Sequence, residues 1–408
     1  MQYKVFPPQT LRTTVQLPAS KSISNRVVIL NALSLNTRSV ENLSDCEDTQ
    51  VIIDAFNSDS NTFDVKGSGT AMRFLTAFLA GMEGEWIIKG SPRMHERPIH
   101  PLVETLTALG AEITYLQREG YPPLKIKGKK LKGGEVYLSG NISSQFTSAL
   151  LMLAPTMDNG LVIHIEKKIV SKPYILLTMK MMEEYGVHAK WDENDIIVKR
   201  QQYHPATIKV EADWSAASYW YEIAALMPEA EIKLLGLHKN SWQGDSNIVS
   251  LFADLGVSTE FNEEGITLRK SKQSTKKFFH NFIDEPDLTQ TFAATCCFLN
   301  TPFLFSGLHN LKVKETDRIK ALQNELGKLG YALQEIESGM LDWTKDEKVA
   351  QTSSVIDTYD DHRMAMSFAP GCIPFGEITI KNPLVVQKSY PNFWTDLRNA
   401  GFTIEEID

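Results

Sequence analysis

The sequence has no apolar run long enough to cross a membrane. Its longest stretches, such as Ala149-Leu150-Leu151-Met152-Leu153-Ala154-Pro155, are short and stop at proline or glycine. A spanning helix needs roughly 20 apolar residues. The first residues, Met1-Gln2-Tyr3-Lys4-Val5-Phe6-Pro7-Pro8, lack the basic and long apolar segments of a secretory signal, so a cytoplasmic location is expected. Cysteine is scarce: Cys46, Cys296, Cys297 and Cys372 stand at no metal-ligand spacing. Free buried thiols in a reducing compartment are expected instead of a disulfide framework. An excess of positive charge is missing too. Lys and Arg number 42 against 50 Asp and Glu, a net charge of −8. Nucleic acid is therefore not an expected partner. An anionic small substrate is still open, if a local basic pocket is set against the overall charge. The glycine-rich stretch Gly67-Ser68-Gly69-Thr70-Ala71-Met72-Arg73 lacks the Gly-Lys-Ser/Thr spacing of a P-loop. It reads either as a plain turn or as a backbone cradle for an anion.

What the chain does have is a repeat. Apolar helix-like runs begin at Ser24, Ala71, Phe146, Ala217, Thr291 and Arg363, with gaps of 47, 75, 71, 74 and 72 residues. A second set of helices ends at Leu-Gly or its equivalent, before Gly110, Gly186, Gly256, Gly330 and Gly401. Glycine there is the residue expected to close a helix in the left-handed conformation. A period this long indicates a duplicated subdomain. Each unit reads β-α-β-α-β-β, so the class is α/β (α+β) with mixed sheets. The first unit is short: after Val51 to Phe56 it has lost most of its hairpin. Six units give two domains of three. The chain opens with a strand, at Lys4 to Phe6 or at Thr13 to Leu17, and the last unit lacks a partner strand. Residues 1–19 are therefore expected to join 212–408 as one domain, with 20–211 as the other and a ligand site in the cleft between them.

Charged and polar clusters fall where element types change. Val313-Lys314-Glu315-Thr316-Asp317-Arg318 follows the apolar run Pro302 to Phe305 and opens a helix. It is either a capping box started by Thr or Asp or part of a ligand site at a strand-to-helix junction. In Ser20-Lys21-Ser22-Ile23-Ser24-Asn25-Arg26, two cations sit at a helix start, against the dipole. A bound anion would resolve that conflict. Arg93 and Arg97 lie between Pro92 and Pro98, Ser143-Ser144-Gln145 opens an apolar run, and Ser171-Lys172-Pro173-Tyr174 follows a strand. Simple capping or a salt-bridged loop accounts for each of these equally well. The basic set is Lys21, Arg26, Arg97, Lys314, Arg318, Arg363 and Lys388, and the carboxylates of interest are Asp287 and Glu315. Such a site could bind two anions and move protons between them.

Several motifs together resemble the 5-enolpyruvylshikimate-3-phosphate synthase family. They are Ser20 to Arg26, Pro92-Arg-Met-His-Glu-Arg-Pro-Ile99, Ser143-Ser-Gln145, Lys314-Glu-Thr-Asp-Arg318 and Tyr359-Asp-Asp-His-Arg-Met-Ala-Met366, in the family's order from about residue 17 to about 393. The resemblance implies a two-lobed inside-out α/β barrel of six units. It implies transfer of the enolpyruvyl group of phosphoenolpyruvate to the 5-hydroxyl of shikimate 3-phosphate, on the route to aromatic amino acids, with no metal or organic cofactor. A monomer is expected. By resemblance, Lys21, Ser22, Arg26, Ser143, Ser144, Gln145, Ser171, Tyr174, Asp287, Asn310 and Lys314 would hold shikimate 3-phosphate. Lys21, Gly69, Arg97, Gln145, Arg318, Arg363 and Lys388 would hold phosphoenolpyruvate. Asp287 would accept the hydroxyl proton, and Glu315 would deliver one to the methylene carbon, with Lys21 in the catalytic set. Asp317 is left without a ligand role and is expected to orient its neighbours, while Thr316 keeps a capping role. Two departures stand out: the Gly-rich loop, where Gly67 replaces the family's Asn and Phe74 its Pro, and the shortened first unit at about residues 55–66. Both bear on phosphoenolpyruvate and on the competitive inhibitor glyphosate. A transferase acting on UDP-N-acetylglucosamine would want a reactive cysteine that is not in place, and a binding-only protein would not need Asp287 and Glu315.

Overall fold

The computed structural model describes residues 1–35, 40–345 and 350–407. Its contacts divide the chain into two compact units, Met1–Pro18 with Glu211–Asp408, and Ala19–Val210. We call them the first and second units. Each has its own hydrophobic core, and no residue belongs to both cores. Among the described residues, the strands form open four-stranded sheets and none closes into a barrel. The fold is mixed α/β.

One sheet pattern recurs. In the second unit, Thr62–Asp64 runs parallel to Gly84–Lys89, which pairs antiparallel with Leu124–Gly128, which pairs antiparallel with Glu112–Tyr115. Gly134–Ser139, Leu161–Glu166, Asp195–Val198 and Ala189–Asp192 repeat it. In the first unit, Phe278–Asn281, Phe303–Ser306, Met340–Trp343 and Gln334–Glu337 repeat it again. Both candidate opening strands exist. Gln2–Phe6 lies between Ile378–Lys381 and Thr403–Ile407 and so completes the last repeat. Leu11–Gln16 runs parallel to Ala230–Leu235 and supplies the first strand of another. The short repeat keeps its helices Lys21–Leu33 and Glu47–Phe56, and the segment between them makes one described bridge, Glu41 to Lys209.

The two helices of a repeat differ in burial, and the sequence explains why. Every residue of Thr289–Phe298 is buried, and so is all of Gly69–Ala80 except Thr70. These helices are apolar or small on all sides, as a fully enclosed helix must be. The second helices, such as Arg318–Lys328 and His100–Ala108, bury one face only. Each of them is followed by its expected glycine. Gly110, Gly186, Gly256, Gly330 and Gly401 all have positive φ, between 79° and 102°. The four cysteines are free and buried, and burial pushes all four thiols up, which makes them poor nucleophiles.

Candidate active site

In the second unit, the first helices of three repeats start with serine caps. Ser20 accepts from the Ile23 N–H at 3.4 Å, Ser68 from Ala71 at 3.3 Å, and Ser143 from Gln145 at 3.3 Å. No acidic residue stands in any of these first turns. Their positive ends are therefore left uncompensated by their own residues, which favours an anion.

Arg26 ties these helices together. Its Nε donates to Thr178 Oγ1 at 2.7 Å and its Nη1 to the Ser22 carbonyl at 2.8 Å. Its Nη2 donates to Ser148 Oγ at 3.2 Å and the Tyr174 carbonyl at 3.1 Å. All four acceptors are neutral. The ring of Phe74 stands 5.4 Å from the guanidinium carbon, a cation–π contact that partly replaces lost hydration. Burial pushes Arg26 down to about 10, and Tyr174 offsets this in part. Such a charge is well placed to take an anionic ligand.

Other predicted residues join the same group. Lys21 pairs with Asp48 at 3.0 Å. Gln145 donates from Nε2 to Thr70 Oγ1 at 3.0 Å, linking two helix starts. Two guanidiniums crowd Gly69: a Cβ there would lie 2.6 Å from both Arg73 Nη1 and Arg97 Nη2, so both would have to shift. Arg97 is buried and donates to the Gly67 carbonyl at 3.4 Å. Ser171 adopts a left-handed φ of 54°, and its carbonyl accepts the Tyr174 N–H at 3.1 Å. Ser22 and Tyr174 hold Arg26 through their carbonyls. Ser144 is buried in the first turn after its cap.

The first unit is built around Arg318. Its side chain is 1% exposed and serves three carboxylates. Asp361 takes Nε at 2.7 Å and Nη2 at 3.3 Å, Asp287 takes Nη1 at 3.1 Å, and Glu315 takes Nη2 at 2.9 Å. The other oxygen of Asp287 accepts from Arg363 Nη2 at 2.8 Å. Burial alone would lower the Arg318 pKa, but the charges of Asp361, Glu315 and Asp287 outweigh it and raise it. Asp287 and Glu315 keep 22% and 15% of their side chains exposed. They can therefore reach a ligand while the guanidinium behind them stays fixed. Arg363 also donates to the Tyr219 hydroxyl at 3.4 Å, and Lys388 donates to the Asp360 carbonyl at 2.7 Å. Lys314 and Asn310 are half-buried on the segment leading into this cluster.

Two details of that segment differ from expectation. Phe303–Ser306 does not run straight into the charged cluster, because a 3₁₀ helix, His309–Val313, intervenes. The cap of Arg318–Lys328 is Asp317, whose Oδ1 accepts the Lys320 N–H at 3.1 Å. Thr316 precedes it and does not cap. A carboxylate at this cap suits the helix dipole better than a hydroxyl. The sequence reasoning missed Asp361, which caps His362–Phe368 through the Arg363 N–H at 2.9 Å and grips Arg318 in a two-point contact. It missed Arg73 as well, whose Nη1 donates to the Gly69 carbonyl at 3.0 Å. The acid density of Asp360-Asp361-His362-Arg363 was the available signal for Asp361.

The family model of EPSP synthase (3-phosphoshikimate 1-carboxyvinyltransferase) matches residues 5–60 and 53–397 of the chain. The chain belongs to the EPSP synthase family. A 3-phosphoshikimate 1-carboxyvinyltransferase of Bacteroides fragilis is 50% identical over 406 residues, covering 99% of each chain. One of Vibrio campbellii is 37% identical over 422 residues, covering 96% of this chain and 97% of its own. The solved EPSP synthase of Acinetobacter baumannii shares the fold over the whole of both chains, at a TM-score of 0.77 and 20% identity. Against the EPSP synthase pattern, Phe74 is accommodated in the second unit's core, 1% exposed, beneath Arg26.

Proposed function

We propose that the chain transfers the enolpyruvyl group of phosphoenolpyruvate to the 5-hydroxyl of shikimate 3-phosphate and releases phosphate, a step of aromatic amino-acid biosynthesis in the cytoplasm. The observation that carries this reading is the convergence of Asp287 and Glu315 on the one guanidinium of Arg318. The full-length relatives support it. The finer architecture is a two-lobed inside-out α/β barrel of six repeats, with 1–19 and 212–408 in one lobe and 20–211 in the other.

Each unit supplies part of the ligand set. Lys21, Ser22, Arg26, Ser143, Ser144, Gln145, Ser171 and Tyr174 of the second unit hold shikimate 3-phosphate, with Asp287, Asn310 and Lys314 of the first. Arg26 supports this role because the four acceptors of its buried guanidinium are all neutral. Phosphoenolpyruvate takes Arg318, Arg363 and Lys388 together with Lys21, Gly69, Arg97 and Gln145. Its anionic groups then compete with Asp287 for guanidinium N–H groups. A freed Asp287 oxygen can accept the proton of the 5-hydroxyl. Glu315 gives a proton to the methylene carbon, which becomes a methyl group, and the adjacent carbon becomes cationic. The hydroxyl oxygen bonds to that carbon. Phosphate then leaves with its bridging oxygen and takes the proton held by Asp287, while the methyl group returns one proton to Glu315, restoring the double bond. No step needs an electron donor or acceptor.

The test is inorganic phosphate release. Mixing the chain with both substrates should release one phosphate per product formed, with none from either substrate alone. UDP-N-acetylglucosamine in place of shikimate 3-phosphate should release none. An absence of release with the correct pair, under conditions where both bind, leaves only the binding reading.

A further inference from the structure

The mechanism above makes no use of Asp245, although this residue is only 3% exposed. It lies in the 3₁₀ turn Gly244–Asn247, and its Oδ2 accepts from the Ser215 hydroxyl. Ser215 is held in turn, since its N–H donates to Asp213 Oδ1, the cap of Trp214–Leu226, at 2.8 Å. The same turn is tethered to the segment carrying Asp287: Asn247 Nδ2 donates to Glu285 Oε1 at 2.9 Å. Charged groups of three other segments act on Asp245. They are Asp287 from Pro286–Leu288, Arg363 from His362–Phe368, and Asp213 from the helix cap.

The charge balance around Arg318 gives this buried acid a task. Asp287, Glu315 and Asp361 already share Arg318, and Asp287 also takes Arg363. A substrate anion entering beside the two guanidiniums adds negative charge to a crowded, partly desolvated site. The least costly relief is protonation of a nearby carboxyl that is not itself a ligand. We propose that Asp245 is a positioning residue for Asp287 and Arg363, taking up one proton from solvent as phosphoenolpyruvate engages the arginines and returning it when product leaves. Burial, followed by the charge of Asp287, pushes the Asp245 carboxyl up to about 7. The Ser215 hydroxyl and Arg363 act in the opposite direction. Near neutral pH the group is thus poised between its two forms. When charged it repels the incoming anion and draws on Arg363. When neutral it leaves Arg363 to the ligand. This inference rests on the reading of Arg318 and Arg363 as phosphoenolpyruvate ligands.

The experiment is the pH profile of kcat/KM for phosphoenolpyruvate at saturating shikimate 3-phosphate, from pH 5.5 to 9. It compares the full chain with Asp245→Asn and Ser215→Ala. Wild type should lose about tenfold per pH unit above about pH 7, the slope of one proton. Asp245→Asn should lack that limb, apart from the substrate's own titration, which is common to all three proteins. Ser215→Ala removes the hydrogen bond that favours the charged carboxyl, so its limb should move to higher pH. This variant keeps the test open if Asp245→Asn does not fold. Calorimetry in two buffers of different ionisation enthalpy should show proton uptake on phosphoenolpyruvate binding at pH 7 in wild type. A limb that persists in Asp245→Asn, or that fails to move in Ser215→Ala, overturns the inference while turnover still supports the function. Wild type without turnover at any pH overturns the function itself.

Discussion

The two units meet the same problem, a buried arginine near enclosed helix starts, with opposite chemistry. In the second unit the caps are Ser20, Ser68 and Ser143, and Arg26 is surrounded by hydroxyls and carbonyls. In the first unit the caps Asp213 and Asp361 are carboxylates, and Arg318 is wrapped by three acids. A serine cap satisfies N–H groups without adding charge, so positive potential is kept for a ligand. An aspartate cap cancels that potential but supplies oxygens able to exchange protons. The second unit is thus suited to holding an anion, and the first to doing acid–base work on one. Repeated backbone pattern fixes neither role; the side chain at the cap does.

The largest effect expected from this contrast is on turnover. Glu315→Gln and Asp287→Asn keep size and hydrogen bonding but remove the exchangeable proton. Each should lower kcat by about 10²–10⁴-fold, the usual worth of a positioned acid or base. KM for shikimate 3-phosphate should change far less. Single-turnover phosphate release measures both variants. If neither falls sharply, the first unit is not the acid–base half.

A second contrast compares the two arginines directly. Arg318→Met would remove the guanidinium that Asp361, Asp287 and Glu315 share, although Asp287 keeps Arg363. Removing one partner of such a buried set costs about 3–5 kcal/mol. Arg26→Met should cost less, about 1–3 kcal/mol. The Thr178 hydroxyl that loses Arg26 still bonds to Ser148 Oγ and the Tyr174 carbonyl, both at 2.8 Å. The ligand response should be reversed: Arg26→Met loses the thermal stabilisation given by shikimate 3-phosphate, while Arg318→Met loses the response to phosphoenolpyruvate added with it. Denaturant titration followed by fluorescence weights the first unit, which holds Trp214, Trp220, Trp242, Trp343 and Trp394. Equal destabilisation by the two changes would remove the distinction between neutral and acidic surroundings.

How much of this could be read from the chain itself depended on whether the cause was local. The Leu-Gly stops were legible because a left-handed closing residue is a local requirement. The repeat was legible because enclosed helices must be apolar all round. Two opening strands were harder. Gln2–Phe6 and Leu11–Gln16 each join a sheet whose other strands lie more than 200 residues away, and nothing in either strand names its partner. Most site residues were visible as charge clusters, and motif resemblance assigned them to substrates. Asp361 and Asp245 were not found, for a common reason. Each acts through a residue distant in sequence, Asp361 through Arg318 and Asp245 through Ser215. The choice between Thr316 and Asp317 as cap turned on one residue of register, which helix periodicity does not resolve.

The smallest effect expected between neighbouring conditions is a pH slope of stability in the first unit's core. Glu222 lies on the enclosed helix Trp214–Leu226, is fully buried, and has no well-formed hydrogen bond to either carboxyl oxygen among the described residues. Burial raises its pKa well above the ordinary 4.5, and the nearby Thr295 hydroxyl offsets only part of this. The sign follows from linkage. Below about pH 4.5 the carboxyl is protonated both folded and unfolded, so it brings no pH-dependent penalty. Above that, the unfolded chain gives up the proton and the folded one keeps it, so stability falls as pH rises toward the folded value. Glu222→Gln stays neutral throughout and should remove this slope, which is at most roughly 1.4 kcal/mol per pH unit. Denaturation midpoints at pH 5, 6, 7 and 8 should therefore separate the variant from wild type by a gap that widens with pH. A constant gap would mean that Glu222 is ionised within the core, and the first unit would then hold a buried charge with no ion pair, as the second does at Arg26.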